Sequence, residues 1–510
     1  MTQSYFDAIV LGRELAPLSC AALLANRGFR VLVVGQQQAP PSYSVGRSSL
    51  PTAPYTFHAA RSPLAERIFG ELGLAQSFRR LTAGGHSPHQ VALPGHRFDF
   101  ASDDEAFEHE MAREFPELKR VIVDFHRQVQ RRFDASNRLF NDDRMWPPES
   151  FLEKRELSRI AASLPFVRGS EQYEVLDELP ESHPFRIAAL APAYFEAGSN
   201  PRDLTALQIS RLYAGCYQHS LALEGGLEAL SQLLIERIRN HSGEVRMQER
   251  ASEISVHRGR ANGVRLFGSD EAVGSGFVIA GTDVSSTRRL LQDRRVFEQI
   301  FEKLGEPQAS RYRYTLNLVI DPSAVPRGMG EEVFLVGELE QPLLGANCLR
   351  IQKRSIDDSR VSLCVQALLP VRPVETQDGY LDDVRERLLE ALGGLIPFLD
   401  EHVQLLDSPH DGRPPEARDP GENLALDPHL PRGPGTMTLI HDYPVSRSFG
   451  LCAMPVRTPL KGLLLCSPQV APGLGAEGQL LAARSAARAV SQNQRGNAWM
   501  RKRPWSKVDI

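Results

Sequence analysis

Two buried apolar runs flanking a helix-length stretch commit the start of this chain to a nucleotide-binding βαβ unit. Phe6 to Leu11 (FDAIVL) and Arg30 to Val34 (RVLVV) read as strands, and Leu15 to Arg27 between them reads as a helix. The connecting turn is G-R-E-L-A-P, from Gly12 to Pro17, where the dinucleotide fingerprint asks for G-x-G-x-x-G. Gly12 is kept, but Glu14 and Pro17 stand in place of the second and third glycines.

Both changes work against a pyrophosphate. The second glycine lets the backbone approach the phosphates, while the helix N-terminus supplies N–H donors and a positive dipole end. Glu14 adds bulk and negative charge at that point, and Pro17 removes an N–H, although proline suits a first helical turn. The residue after the second strand, which normally carries a ribose-binding acid, is Gly35, followed by three glutamines. Glu14 itself is expected to be a helix-start carboxylate that satisfies N–H groups and stands in for the lost phosphate.

At 510 residues the chain is long enough for two lobes. A net charge of −4 argues against a nucleic-acid partner. No apolar run approaches the roughly 20 residues of a membrane span. The start MTQSY enters the first strand without a signal-type leader, so a cytoplasmic location is expected. Cys20, Cys216, Cys348, Cys364, Cys452 and Cys466 form no C-x-x-C pair and read as reduced, buried thiols.

Along the chain, Ala39 to Pro54 reads as loop, and Asp103 to Asn141 as a long helical stretch. Helical patterning recurs from Glu149 to Ala162 and from Pro184 to Tyr217. Gly225–Gly226 opens a helix, Ser252 to Leu266 a hairpin, and Phe277 to Ala280 a buried strand. Strands of a second sheet are expected at Arg311 to Ile320 and Arg360 to Leu368, with a helix around Tyr380 to Leu392. Asp407 to Met437 is a long Pro/Gly/Asp-rich loop. The last strand, Gly462 to Cys466, leads through Ser467 and Pro468 into the helix Gln479 to Val490.

Three of these segments, in order, resemble the phytoene desaturase branch of the FAD-dependent amine-oxidase superfamily. They are the opening unit, the run LEGGLEALSQLL…VHRGRANGVRL…GFVIAGTDVSSTRRLL, and the end MPVRTPLKGLLLCSPQVAPGLGAEGQLLAARSAARAV. The resemblance implies an α/β fold: a Rossmann-like FAD-binding lobe of the GR2 type with a second, mixed α+β substrate-type lobe. On it, the dinucleotide-type lobe is discontinuous (1–75, 220–300 and 440–495), the substrate-type lobe covers 76–219 and 301–439, and a basic, aromatic tail follows at 496–510. It implies cofactor contacts at Gly12, Glu14, Pro17, Gly35, Ser467, Gly473, Gly475 and Gly478, several of them substituted here.

The literal G-x-G-x-x-G at Gly473 to Gly478 lacks a following strand and a ribose acid, so it is expected to be a tight strand-to-helix turn. His86 and His89 (HSPH) are expected to be surface-loop histidines, and no metal set or catalytic side chain is identified. Trp499 and Trp505 among basic residues of the tail either pack on the protein or touch an anionic membrane surface. The chain is therefore expected to lack FAD and to act as a non-catalytic protein that binds a protein partner or a hydrophobic, isoprenoid-type ligand. The alternative is an FAD-dependent oxidoreductase or isomerase of polyenes or isoprenoids that holds FAD through altered contacts.

Overall fold

The computed structural model describes residues 5–84, 89–101, 103–141, 144–168, 176, 179–197, 204–268, 272–418, 424–426 and 430–501. Two sheets organise it. In the first, the strand order is Glu244–Arg246, Val31–Val34, Tyr5–Leu11, Ala272–Ala280. Leu463–Leu465 joins Ala272–Ala280 in parallel, and Arg260–Leu266 and Ala251–His257 continue from it antiparallel. Ala8, Ile9, Val10 and Leu11 are wholly buried, as a central parallel strand covered on both faces requires. Helix Leu15–Asn26 is apolar all round because it is enclosed between this sheet and the helices Gly226–Asn240 and Gly475–Arg501.

The second sheet is mostly antiparallel and runs Glu416–Ala417, Val403–Asp407, Gln308–Ile320, Arg360–Pro370, Cys348–Asp357, Glu332–Val336, His89–Leu93, His96–Phe100. Thr438–Asp442 also pairs with Gln308–Ile320. Helices Lys119–Ser136, Pro184–Glu196 and Ala206–Tyr217 share a core with one face of it, and Tyr380–Leu395 packs on the other. The fold is thus the Rossmann-like α/β lobe with a mixed α+β partner. All six cysteines are free and buried. No helix among the described residues is long and apolar enough to cross a membrane.

Two local expectations change. The stretch Ala39 to Pro54 contains a hairpin, Ser42–Val45 with Ser48–Pro51. The stretch from Asp103 to Asn141 is two helices, Asp104–Glu114 and Lys119–Ser136, because Phe115 leaves helical geometry (φ −134°, ψ 57°) just before Pro116. The tail beyond residue 501, with Trp505, lies outside the described residues, as does His86.

The described parts of the Pro/Gly/Asp-rich loop are tied down by buried charge. Asp407 accepts hydrogen bonds from the Tyr43 hydroxyl (2.7 Å) and from Arg432 Nη2 (2.7 Å). Arg385 pairs with Asp411 (2.9 Å) and Glu416 (2.8 Å). Leu424, Leu426 and Leu430 pack with Tyr43, Val45 and Leu50 in a small satellite core. Removing one partner of a buried pair leaves the other uncompensated, so Asp407→Ala is expected to cost about 3–5 kcal/mol in urea unfolding. Asp357→Ala, which breaks a surface pair with Arg360, leaves the unfolding midpoint essentially in place.

Candidate functional site: the carboxyl-end crevice

The sequence-predicted positions fall at the carboxyl ends of the adjacent parallel strands Val31–Val34, Tyr5–Leu11, Ala272–Ala280 and Leu463–Leu465, where open α/β sheets bind ligands. Gly12, Glu14 and Pro17 form one corner. Gly12 has φ 117° and carries the turn. The Arg13 N–H donates to Gln38 Oε1 at 2.8 Å, so a side chain of the chain itself already engages this turn. Pro17 fills the gap beside Gly281, where an added Cβ would lie 2.5 Å from the Pro17 Cβ.

Glu14 is the N-cap residue of helix Leu15–Asn26, but its side chain makes no capping hydrogen bond. The expected satisfaction of N–H groups is therefore corrected: the carboxyl interacts instead with Arg313 and Asp283. Burial pushes its pKa up to about 7, with Arg313 opposing and Asp283 adding to the rise.

Gly35 is fixed by main-chain crowding. A Cβ there would lie 2.2 Å from the Met247 carbonyl oxygen, so the ribose acid of related sites cannot be restored by substitution without moving the backbone. The next residue, Gln36, takes a left-handed conformation (φ 59°) and accepts the Ala251 N–H through Oε1 at 2.8 Å.

At the other end, Ser467 is buried and its Oγ has no hydrogen-bond partner among the described residues. The three glycines of the last turn are packing requirements. A Cβ on Gly478 would lie 2.0 Å from the Ala471 carbonyl oxygen, and one on Gly473 would lie 2.5 Å from Gln208 Nε2. Gly475, at φ 56°, starts the final helix, and its Cβ would meet Glu196 Oε2 at 3.2 Å. Glu477, in the first turn of that helix, is buried against Arg211 (Nε to Oε2, 3.0 Å).

Several residues the sequence reading missed meet this crevice. Arg313 Nη2 donates to the Phe195 carbonyl (2.6 Å) and lies in the field of both Glu14 and Glu196. Arg350 Nη1 donates to Glu196 (2.6 Å), and His58 Nδ1 stands 3.2 Å from the same carboxylate. Burial would raise the Glu196 pKa, but His58, Arg350 and Arg313 together hold it well below the usual carboxylate range. Burial raises the Tyr55 hydroxyl far above its ordinary value, and its oxygen has no partner among the described residues. Glu14, Tyr55, Glu196 and Arg313 are each only partly accessible. They come from four separate segments, and no spacing in the sequence marks them as a group. His89 departs from the surface-loop expectation: it is fully buried as the first residue of a strand, stacked on Phe334.

No family model matches the chain. A neurosporene-forming phytoene desaturase of Cereibacter sphaeroides is 24% identical over 473 residues, covering 83% of this chain and 85% of that protein. Among solved structures, an oxidoreductase from Methanosarcina mazei superposes with a TM-score of 0.57 at 14% identity, over 94% of this chain and 99% of its own. Cyclohexylamine oxidase from Brevibacterium oxydans gives 0.53 at 13% identity, over 96% and 99%. The chain has the fold of these oxidoreductases and is phytoene desaturase-like along most of its length. Within that fold, Glu14, Pro17, Gly35 and Ser467 stand at positions where the resemblance implies cofactor contacts.

The Glu14 shift has a thermodynamic consequence. A carboxyl whose folded pKa is raised from 4.5 to about 7 favours folding while protonated, so its contribution is complete below 4.5 and lost as pH rises through about 7. With partial solvent access discounted, the loss is on the order of 1–2 kcal/mol. Comparing urea unfolding at pH 5 and pH 8, Glu14→Gln is expected to remove that part of the decline seen in the wild type.

Proposed function

We propose that this chain is a binding protein built on a phytoene desaturase-like scaffold, one that does not hold FAD in the family's manner and is not a catalyst. Its role would be to bind a protein partner or a hydrophobic, isoprenoid-type ligand. The observation that carries this reading is the corner at Glu14. A carboxyl enclosed beside Asp283 occupies the start of the first helix, where the fold presents a phosphate-binding turn. The main-chain crowding at Gly35 supports it, because the missing ribose acid is a property of the backbone path.

A second reading is supported by the extent of the similarity to a phytoene desaturase. It makes the chain an FAD-dependent oxidoreductase or isomerase of polyenes or isoprenoids. FAD would supply the redox chemistry there. What this chain's own residues contribute to that reading is a Glu14 that titrates near neutrality, since a protonated carboxyl sets no charge against a phosphate. Arg13, within the turn, and Arg313, whose charge acts on Glu14, would then be the cations at hand.

Titration of the purified protein with FAD, followed by flavin fluorescence at pH 6 and pH 8, separates the two. The binding-protein reading expects no saturable quench at either pH. Saturable binding that is tighter at pH 6, with the pH dependence lost in Glu14→Gln, would establish the oxidoreductase reading instead.

A further inference from the structure

Beyond the crevice, three buried side chains from distant segments converge. His58 lies in the loop between the hairpin that ends at Pro51 and helix Pro63–Glu71, His89 opens its strand, and Cys216 is the penultimate residue of helix Ala206–Tyr217. One ligand atom from each, two imidazole nitrogens and the thiol sulfur, lie within 4.8 Å of one another. We propose that His58, His89 and Cys216 form a binding site for a divalent transition metal of the zinc class.

The donor set suits such an ion. Imidazole and thiolate are zinc's commonest protein ligands, and three protein ligands leave a fourth position open. At zinc–nitrogen and zinc–sulfur distances of about 2.0–2.3 Å, tetrahedral ligands stand roughly 3.3–3.7 Å apart. The present spread of up to 4.8 Å therefore has to contract by at most about 1.5 Å, which side-chain rotation supplies.

What surrounds the imidazoles strengthens the assignment. Metal-binding histidines almost always present their second nitrogen to a carboxylate or carbonyl, which fixes the tautomer and the ring. Here each ring has its own carboxylate: His58 Nδ1 is 3.2 Å from Glu196 Oε1, and His89 Nε2 is 3.3 Å from Glu332 Oε2. Arg350 links the two carboxylates, at 2.6 Å to Glu196 and 2.5 Å to Glu332. The Thr56 hydroxyl also donates to Glu332. With Nδ1 of His58 at ion-pair distance from Glu196, its Nε2 is left as the ligand nitrogen; both nitrogens are buried and neither makes a hydrogen bond among the described residues. Glu196, beside His58, keeps part of its side chain accessible.

Binding involves no redox change. The Cys216 S–H bond breaks as the sulfur–metal bond forms, the proton passes to water, and both imidazoles enter neutral. Without metal, burial holds the Cys216 thiol protonated and lowers the His89 pKa.

Cobalt(II) is the probe, because thiolate coordination gives it a charge-transfer absorption that imidazole alone does not. The full-length protein, stripped with chelator and titrated anaerobically, is expected to bind one cobalt per chain with that absorption. In Cys216→Ser the charge-transfer band should vanish, and in Glu196→Gln binding should weaken about 10–100-fold through loss of the partner that orients His58. Cys452→Ser, a buried cysteine in another part of the fold, should bind as the wild type does. Each variant is checked for folding by near-ultraviolet circular dichroism. If Glu196→Gln fails to fold, the band in Cys216→Ser decides alone. A folded wild type without saturable cobalt binding, or a band that persists in Cys216→Ser, overturns the site.

Discussion

The guanidinium of Arg350 is the interaction on which the interior depends. Glu332 is fully buried and Glu196 partly so, and Arg350 reaches both. An isolated carboxylate in such surroundings would be costly or would stay protonated, but this arrangement holds both acids well below the usual carboxylate range. The network also connects parts of the fold that share no strand pairing. Glu196 ends helix Pro184–Glu196, Glu332 opens a strand of the second sheet, and Thr56 belongs to the loop that enters helix Pro63–Glu71. Gln352, on the same strand as Arg350, hydrogen-bonds Tyr55 through both N–H and C=O, so that loop is held in register with the sheet. Two histidines then inherit fixed orientations from the two carboxylates.

Apolar burial, more than charge, holds the strands and helix around the altered phosphate turn. The parallel strands at the crevice are held by apolar burial, and helix Leu15–Asn26 by contact on every side. The glycines at 473, 475 and 478 survive because main-chain and side-chain atoms press on them, which is why a motif can look like a binding fingerprint and yet be a packing device. Along the crevice, Glu14, Arg313 and Glu196 alternate in sign, so each is partly compensated by its neighbour.

The lobe architecture was legible in the sequence where hydrophobic period and turn residues agreed. FDAIVL and VLVV lie in strands because Asp7 is the one polar residue in them, and its carboxylate accepts the N–H of Arg30, just before the second strand. The helix break at Phe115 was hidden by periodicity that continues on both sides of Pro116. At the site, the substitutions at Glu14, Pro17 and Gly35 were visible as departures from a pattern. The surroundings of Glu14 were not, because its burial and the charge of Arg313 that acts on it, roughly three hundred residues away, arise only when distant segments pack together. His89 was misplaced for a similar reason: polarity next to Pro88 reads as loop, whereas a carboxylate and three aromatic or imidazole rings make a buried place for it.

The most direct test of the central claim, that the chain's own charges have displaced the family's mode of holding FAD, is the visible absorption spectrum of natively purified protein, with the denatured supernatant assayed for flavin. The account predicts a protein without flavin bands and no flavin released. About one flavin released per chain would contradict it, and would mean that the Glu14 corner accommodates the cofactor.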